Sequence, residues 1–380
     1  MKSKSFFIKF IPFFLLFILF ILDGCSTFSP VTPAFDGVSD KNYLDNLYPQ
    51  NQTDNKTQFN ESYSFCGFFT DSSGFLYGVT IELSKLTFNN ITFWLYDAFI
   101  LDYTKVQMAQ SSNESQEKKP TMLKLSATSI NPMSQYSLSD STISIGKSKF
   151  SWKNHTLLFQ LVDKKNKITV KSKMYQSNNF TTLGSPTLNL SNGKKTFFFT
   201  STSFESSLEF SLTDVNKEKF KKNNLNGYGV FYRSFGPEAL LEYEFHYLNF
   251  NKIKIGANWT NPPEQFINKS YIILYIPKTF FYYVLELQIE NNKPVFSKVE
   301  NIDIYNYSTI LKDKNRRYPM NFSILIDKTL LKFNPLALNP PVQFFTHDSW
   351  FGIEPIFDSS SNLLGIGFSN LYEYSRMITK

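Results

Sequence analysis

The sequence contains little cysteine and little histidine. Of its 380 residues only two are cysteine and three are histidine, and no C-x-x-C, H-E-x-x-H, G-x-S-x-G or Walker-type segment occurs. Metal and nucleophile chemistry depends on such grouped residues. The three histidines, His155, His246 and His347, lie far apart in the chain. The sequence therefore predicts no metal site, no cofactor and no assignable catalytic residue.

The low cysteine count also excludes a fold stapled by disulfides. If Cys25 is lipidated or removed with a leader, Cys66 has no partner within the chain. Cys66 stands in the aromatic run YSFCGFF and is predicted to be a small buried apolar residue. A chain of this length can bury a core without covalent staples.

Charged residues are scarce as well. They make up 19% of the chain, and the formal net charge is +7. The lysines are scattered or lie in short clusters such as NKEKFKKNN, residues 216–224, with no basic helix and no interleaving of basic and aromatic side chains. A nucleic-acid-binding surface would need such a pattern. We therefore predict no nucleic-acid partner.

Aromatic residues, by contrast, are abundant, with 41 Phe and 21 Tyr. They occur in alternating runs: in FLYGVTIEL, residues 75–83, every second residue is large and apolar, and KITVKSKM, residues 167–174, keeps its lysines on one face. Period-two alternation is typical of half-buried strands. FWLYDAFIL, residues 93–101, is apolar on both faces, as in a strand covered on both sides. The sequence therefore predicts an all-β fold.

The amino terminus is typical of an export signal. The basic start MKSKSFFIK precedes an apolar run at 10–22 that is too short for a comfortable membrane span. The following LDGC segment matches the bacterial lipoprotein pattern apart from Asp23. We predict that residues 1–25 hold the signal and that lipidated Cys25 attaches a cell-envelope lipoprotein to a membrane surface. Ordinary cleavage nearby, for example after Ser26, is the alternative.

The N-x-[ST] acceptor sites favour a different compartment. The chain contains 12 of them, more than its Ser and Thr content would give by chance. An excess of this kind is typical of a eukaryotic secreted glycoprotein. The acceptors weighed under this alternative are Asn258, Asn268, Asn306 and Asn321.

Composition divides the rest of the chain into segments. Residues 26–62 are rich in Ser, Thr, Pro and Asn without apolar periodicity and are predicted to be a flexible leader. Residues 63–215 and 228–376 carry the alternating runs and are predicted to form two β domains. The polar stretch at 216–227 is the predicted linker.

Three segments, in order, resemble one family. They are FFTDSSGFLYGVTIEL (68–83), GANWTN (256–261) and SWFGIEPIFDSSSNLLGIGFSNLYEY (349–374). They resemble the two-domain lipocalin-like family that includes AttH-type proteins and carotenoid hydratases of the hydroxyneurosporene synthase type, with the survival-factor type as a related alternative. The resemblance implies two tandem antiparallel β-barrels and an apolar pocket for a lipid or isoprenoid.

One departure from the family bears on activity. Its enzymes are similar in having an acid two positions after the tryptophan of the GANWTN element, and this chain has Asn261 there. An amide cannot donate a proton at neutral pH as a carboxylic acid does. Asp97 and Glu264 are the only acids that we consider as substitutes, and hydratase chemistry is disfavoured.

The function predicted from the sequence is non-catalytic binding of an apolar lipid or isoprenoid in the second barrel, by an exported and membrane-anchored protein. Counting by twos from Ile253 places Trp259 on the core face and Asn258 on the exposed face. The alternatives are an isoprenoid or carotenoid hydratase- or cyclase-like enzyme, and a cell-surface glycoprotein with a structural or protein-interaction role. The predicted ligand-binding residues, which could equally be core packing, are Trp259, Asn261, Phe245, Tyr247, Phe281 and Tyr283.

Overall fold

The computed structural model describes residues 32–35, 60–88, 91–112, 119–129, 135–137, 142–153, 156–173, 181–182, 186–189, 195–200, 204–213, 219–236, 243–276, 281–290, 293–298, 303–313, 316–326, 328–333, 335–337, 342–344 and 348–373. The predicted signal at 1–25 and the predicted lipidation site Cys25 lie outside these ranges.

The described chain is almost entirely strand. The strands are β1 (Thr32–Phe35), β2 (Asn60–Thr70), β3 (Leu76–Phe88), β4 (Ile91–Asp102), β5 (Thr121–Ser129), β6 (Gln135–Ser137), β7 (Thr142–Ile145), β8 (Ser148–Lys153), β9 (Thr156–Val162), β10 (Lys167–Lys173), β11 (Thr181–Thr182), β12 (Pro186–Asn189), β13 (Lys195–Thr200), β14 (Phe204–Thr213), β15 (Lys219–Gly236), β16 (Tyr243–Asn249), β17 (Lys254–Ile255), β18 (Asn258–Trp259), β19 (Lys269–Ile276), β20 (Phe281–Glu290), β21 (Lys293–Lys298), β22 (Asp303–Asp313), β23 (Arg316–Ile326), β24 (Thr329–Phe333), β25 (Val342–Gln343), β26 (Asp348–Phe357) and β27 (Leu363–Glu373). Helix α1 spans Thr104–Ser111, and a 3-10 helix spans Glu264–Phe266.

The strands form two large antiparallel sheets. The first has the order β5-β4-β3-β2-β15-β14-β10-β9-β8-β7-β6, and β13 joins it beside β15 and carries β11, β12 and β1. The second has the order β21-β20-β19-β16-β27-β26-β24-β23-β22, with β25 on β26. One sheet curls into a nearly closed barrel and the other into a half-barrel. We call them the first and the second barrel, and the all-β prediction is confirmed.

Apolar side chains form a core in each barrel and a third core between the barrels. The inter-barrel core takes aromatic rings from both sheets. The ring centroids of Tyr232 and Phe245 lie 4.3 Å apart, and those of Phe68 and Tyr247 lie 6.2 Å apart. Cys66 belongs to this core and is fully buried, as predicted. Burial raises the pKa of its thiol well above the usual value.

Strand β4 connects two of these cores, as its sequence predicts. Trp94 and Tyr96 face the core of the first barrel, whereas Phe99 and Leu101 face the inter-barrel core. Alternation along a strand sends successive side chains to opposite faces, so FWLYDAFIL had to be apolar throughout.

Two predicted boundaries are wrong. Within the predicted leader at 26–62, strand β1 pairs with β12, and β2 begins at Asn60. Within the predicted linker at 216–227, residues 219–227 open β15, which pairs with β14 and β2. The run is polar because its side chains are largely exposed, while Leu225 is buried in the first-barrel core. The first barrel therefore continues to the end of β15.

Candidate functional site

Trp259 lies on a short hairpin, β17–β18, that stands apart from both sheets. The two-residue turn between the strands contains Gly256 at φ 58°, in the left-handed region that glycine tolerates. The turn pairs Lys254 with Trp259 and Ile255 with Asn258. Trp259 is 54% exposed, so the predicted core position is wrong. Counting by twos failed because the chain reverses at Gly256, whereas the predicted exposure of Asn258 is confirmed.

The hairpin is held at its base by Thr260, which is fully buried. The Thr260 hydroxyl accepts a hydrogen bond from the amide of Ile253 at 2.8 Å and donates one to the carbonyl oxygen of Asn251 at 2.9 Å. The amide of Thr260 also donates to the carbonyl oxygen of Ile253 at 2.9 Å. The hairpin is thus fixed although its two strands are short.

The tip of the hairpin contacts the turn between β2 and β3 of the first barrel. The amide of Gly256 donates to the carbonyl oxygen of Gly74 at 2.9 Å. The side-chain amide of Gln107, on α1, donates to the same carbonyl oxygen at 3.1 Å. The ammonium group of Lys254 donates to the carbonyl oxygen of Ser72 at 3.3 Å. The two barrels therefore meet at the hairpin through hydrogen bonds to backbone.

A carboxylate shapes the β2–β3 turn. Oδ1 of Asp71 accepts hydrogen bonds from the amides of Ser73 and Phe75, both at 3.0 Å. Oδ2 of Asp71 lies 3.6 Å from the ammonium group of Lys222 on β15. Asp residues favour turns because they can bond to backbone amides in this way.

A cleft of about 680 Å³ lies between this turn, strands β10, β14 and β15, and the hairpin. Its apolar lining includes Phe68, Tyr228, Ile253 and Trp259. Burial, and then the negative charge of Glu205, raise the pKa of Tyr228. The cleft takes lining residues from both barrels and combines an apolar wall with charged groups.

Comparison with known proteins agrees with this architecture. No family model and no curated protein sequence matches the chain. The solved structure of a candidate AttH protein from Nitrosomonas europaea matches with a TM-score of 0.60 and 11% sequence identity, over 90% of this chain and 99% of that one. The chain has a lipocalin-like AttH fold. The predicted resemblance is confirmed at the level of the fold.

Two further structures match less well. Kievitone hydratase from Nectria haematococca gives a TM-score of 0.48 at 13% identity, over 90% of this chain and 98% of its own. CghA with Sch210972 gives 0.47 at 8% identity, over 90% and 99%. These similarities are too low to carry an inference about activity.

Among the predicted ligand-binding residues with described side chains, only Trp259 lines the cleft. Phe245 and Tyr247 are buried in the inter-barrel core, facing the first barrel. Asn261 is exposed, and its amide donates to the carbonyl oxygen of Leu363 at 2.9 Å. The side chains of Phe281 and Tyr283 lie outside the described residues. The roles of all six predicted residues in ligand binding stay predictions.

The two acids considered for catalysis lie elsewhere. Asp97 is buried, and its Oδ1 lies 3.6 Å from the ammonium group of Lys124. Glu264 is exposed on the 3-10 helix. Neither lines the cleft, whose acids are Asp71 and Glu205.

A polar network inside the second barrel was not predicted. Period-two alternation in LLEYEFHYLNF, residues 240–250, predicts an exposed face for Glu244 and His246, but both are fully buried. Nδ1 of His246 lies 2.6 Å from the hydroxyl of Ser369, which donates to Oε2 of Glu354 at 2.5 Å. Nε2 of His246 lies 3.7 Å from Oε2 of Glu244. Alternation of apolar and polar residues along a strand cannot distinguish a solvent-exposed face from a face that lines a second, polar core.

The network holds a proton on His246. Burial disfavours the charged imidazolium, but the carboxylates of Glu244 and Glu354 outweigh this and raise the pKa of His246 to about 9.

No group of three or more His, Cys, Asp or Glu with metal-binding geometry occurs in the described part of the chain. None of the helices in that part is long and apolar enough to cross a membrane.

The predicted glycosylation sites are only partly described. Asn258 and Asn268 are exposed, whereas the side chains of Asn306 and Asn321 lie outside the described residues. A glycan requires an exposed acceptor, but exposure alone does not show that a glycan is attached. Glycosylation therefore stays a prediction.

Proposed function

We propose that the protein binds, without catalysis, a small molecule with an apolar body, such as a lipid or isoprenoid, in the cleft between the barrels. The observation that carries the proposal is the exposed ring of Trp259, which lines a cleft together with the partly exposed Tyr228. The hairpin is fixed by hydrogen bonds and keeps the tryptophan ring exposed to solvent. A bound ligand would remove this large apolar surface from water.

The size of the cleft supports this function. Small-molecule sites typically enclose about 300–1,000 Å³, and the cleft of about 680 Å³ lies within that range. Covering half of a tryptophan ring removes roughly 100 Å² from water, which favours binding by about 2–3 kcal/mol. Such a contribution is large enough to be lost measurably when the ring is removed.

Binding is favoured over catalysis by the placement of the acids. Acid-assisted addition of water would need a carboxylic acid at the ligand, and Asp97 and Glu264 do not line the cleft. Of the two acids that do, Asp71 uses both oxygens to hold its turn and Lys222, and Glu205 is exposed to water.

A neutral apolar dye such as N-phenyl-1-naphthylamine tests the proposal. We expect its fluorescence to rise on binding to the wild-type protein and its affinity to fall at least about tenfold in Trp259→Ala. Ile267→Ala is the matched control, because Ile267 is 50% exposed at the end of the 3-10 helix that follows the hairpin in sequence, but does not line the cleft. Equal affinity in wild type and Trp259→Ala would refute the cleft as the site.

The natural ligand can be sought in the purified protein. An organic extract analysed by mass spectrometry should yield a lipid or isoprenoid that is absent from the Trp259→Ala extract. A clean extract together with no dye uptake would favour the alternative, a surface protein with a structural or protein-binding role.

We also propose that the protein is exported and anchored by lipid on Cys25. The support is the basic and apolar start of the chain followed by LDGC. The mass of the mature N-terminus should include a diacylglyceryl group, and Cys25→Ser should release the protein from membranes. Glycan mass on peptides containing Asn258, Asn268, Asn306 or Asn321 would instead establish the eukaryotic secreted alternative.

A further inference from the structure

Lysine side chains surround the apolar wall of the cleft. Lys171 comes from β10 of the first barrel, and Lys252 and Lys254 come from the segment that forms the hairpin. Among the described residues, none of the three forms an ion pair with a carboxylate. The cleft therefore carries ammonium groups on both of its walls.

The acids of the cleft do not balance these lysines. Asp71 is already matched by the ammonium group of Lys222, 3.6 Å away, and by two backbone amides. Glu205 is the other acid in the lining, and it lies on β14 near Tyr228. An excess of positive charge remains beside the hairpin.

Two of the lysines have defined contacts, one with the Trp259 ring and one with the β2–β3 turn. The ammonium group of Lys252 lies 6.0 Å from the ring centroid of Trp259, within the range of a cation–π contact. The ammonium group of Lys254 uses one N–H for the carbonyl oxygen of Ser72 at 3.3 Å. An ammonium group has three donors, so Lys254 keeps donors for a ligand.

We infer that the cleft selects amphiphiles whose apolar chain ends in one anionic oxygen headgroup, a carboxylate or a phosphate monoester. This inference rests on the proposed function. The apolar chain would cover Trp259 and the partly exposed Tyr228, and the headgroup would accept charge-assisted hydrogen bonds from Lys252 and Lys254. Because the lysines are partly exposed, salt weakens the selection.

Three ten-carbon probes test the inference: decanoate, decyl phosphate and decanol, each competing with N-phenyl-1-naphthylamine. The three probes share a total of ten carbons, nine of them in the alkyl chain of decanoate and ten in that of decyl phosphate and decanol, and we expect at least one anionic probe to bind about tenfold more tightly than decanol at low salt. The preference should shrink in high salt. The ratio between decanoate and decyl phosphate identifies whether the headgroup is a carboxylate or a phosphate.

Removing the two lysine charges of the hairpin segment tests whether these lysines cause the preference for anionic probes. The double variant Lys252→Met, Lys254→Met should lose the preference for the anions over decanol, whatever its affinity for decanol itself. Lys167→Met is the matched control, because Lys167 is an exposed lysine on β10 outside the cleft. A preference that persists in the double variant overturns the inference.

The remaining outcomes separate the two proposals. Equal binding of decanol and of both anions by the wild type overturns the charge selection and leaves the apolar site intact. Binding of none of the probes, and of no dye, overturns the proposed function and the inference with it.

Discussion

The amide nitrogen of Gly256 donates a hydrogen bond to the carbonyl oxygen of Gly74, and the two residues belong to different barrels. Gly74 has φ 85°, and a Cβ on it would lie 2.6 Å from that nitrogen. Real Cβ atoms do not approach backbone so closely, so only glycine permits the contact. The pair sets the distance between the Trp259 hairpin and the first barrel.

Gly74→Ala should therefore damage both stability and binding. The left-handed backbone costs an alanine about 1–2 kcal/mol, and the clash with Gly256 adds to this. We expect a lower free energy of unfolding in urea and weaker dye binding. Gly146→Ala is the control, because Gly146 has φ 59° but open space at its Cβ. The contact would be unimportant if both variants lost the same stability and kept full dye affinity.

Thr260→Val should loosen the hairpin. Valine keeps the shape of threonine but leaves the amide of Ile253 and the carbonyl oxygen of Asn251 without the buried hydroxyl. The loss of such bonds costs about 1–3 kcal/mol, and dye affinity should fall with it. The substitution also removes the acceptor site at Asn258, so Asn258→Gln serves as the control. Similar losses in the two variants would point to the acceptor site rather than to the hydroxyl.

Period-two alternation was sufficient to predict the fold class and the faces of β3, β4 and β10. It could not predict Trp259, because a two-residue turn at Gly256 reverses the chain within an apparently continuous strand. It also misassigned His246, since a residue pointing away from one core points into another when the strand is covered on both faces. Composition gave the wrong prediction at 216–227, because the exposed residues of β15 at 219–227 are as polar as those of a linker.

The cleft itself could not have been predicted. Its lining comes from β2, β10, β14, β15 and the hairpin, and their juxtaposition depends on how the barrels pack. The signal in the sequence was the pair of glycines, Gly74 and Gly256, each in a turn and each inside a segment that resembles the family. Glycine at a turn indicates a special backbone conformation, but not which other turn it contacts.

The stability of the protein should fall as the pH rises from about 6.5 to about 9. His246 has a folded pKa of about 9, whereas an unfolded histidine titrates near 6.5. A raised pKa contributes stability that is complete below the unfolded value and lost as pH rises through the folded value. The contribution is about 3 kcal/mol. Urea unfolding at a series of pH values measures it.

His246→Leu should remove this pH dependence and lower stability at pH 6, because two buried carboxylates lose their cation. His155→Gln and His347→Gln are the controls and should keep the dependence. A decline with pH that survives in His246→Leu would assign it to other groups.

Cys66 should resist thiol reagents in the folded protein. Its thiol is fully buried, and burial raises its pKa, so little reactive thiolate is present. In a Cys25→Ser background, labelling of the native protein should be at least about 100-fold slower than labelling in urea, because it requires opening of the inter-barrel core. Rapid native labelling would contradict the burial of this residue.

The stack of Tyr232 on Phe245 bears on whether the barrels are modular. Each ring is shielded by the opposite barrel, so a fragment ending after β15 and a fragment beginning at β16 would each display an aromatic surface to water. Neither fragment would contain a complete cleft. When the two fragments are expressed separately, each should self-associate through its exposed aromatic surface. Dye binding should return only when both fragments are mixed in one solution. Selection on the proposed ligand binding would then act on the junction between the barrels and keep both barrels in one chain.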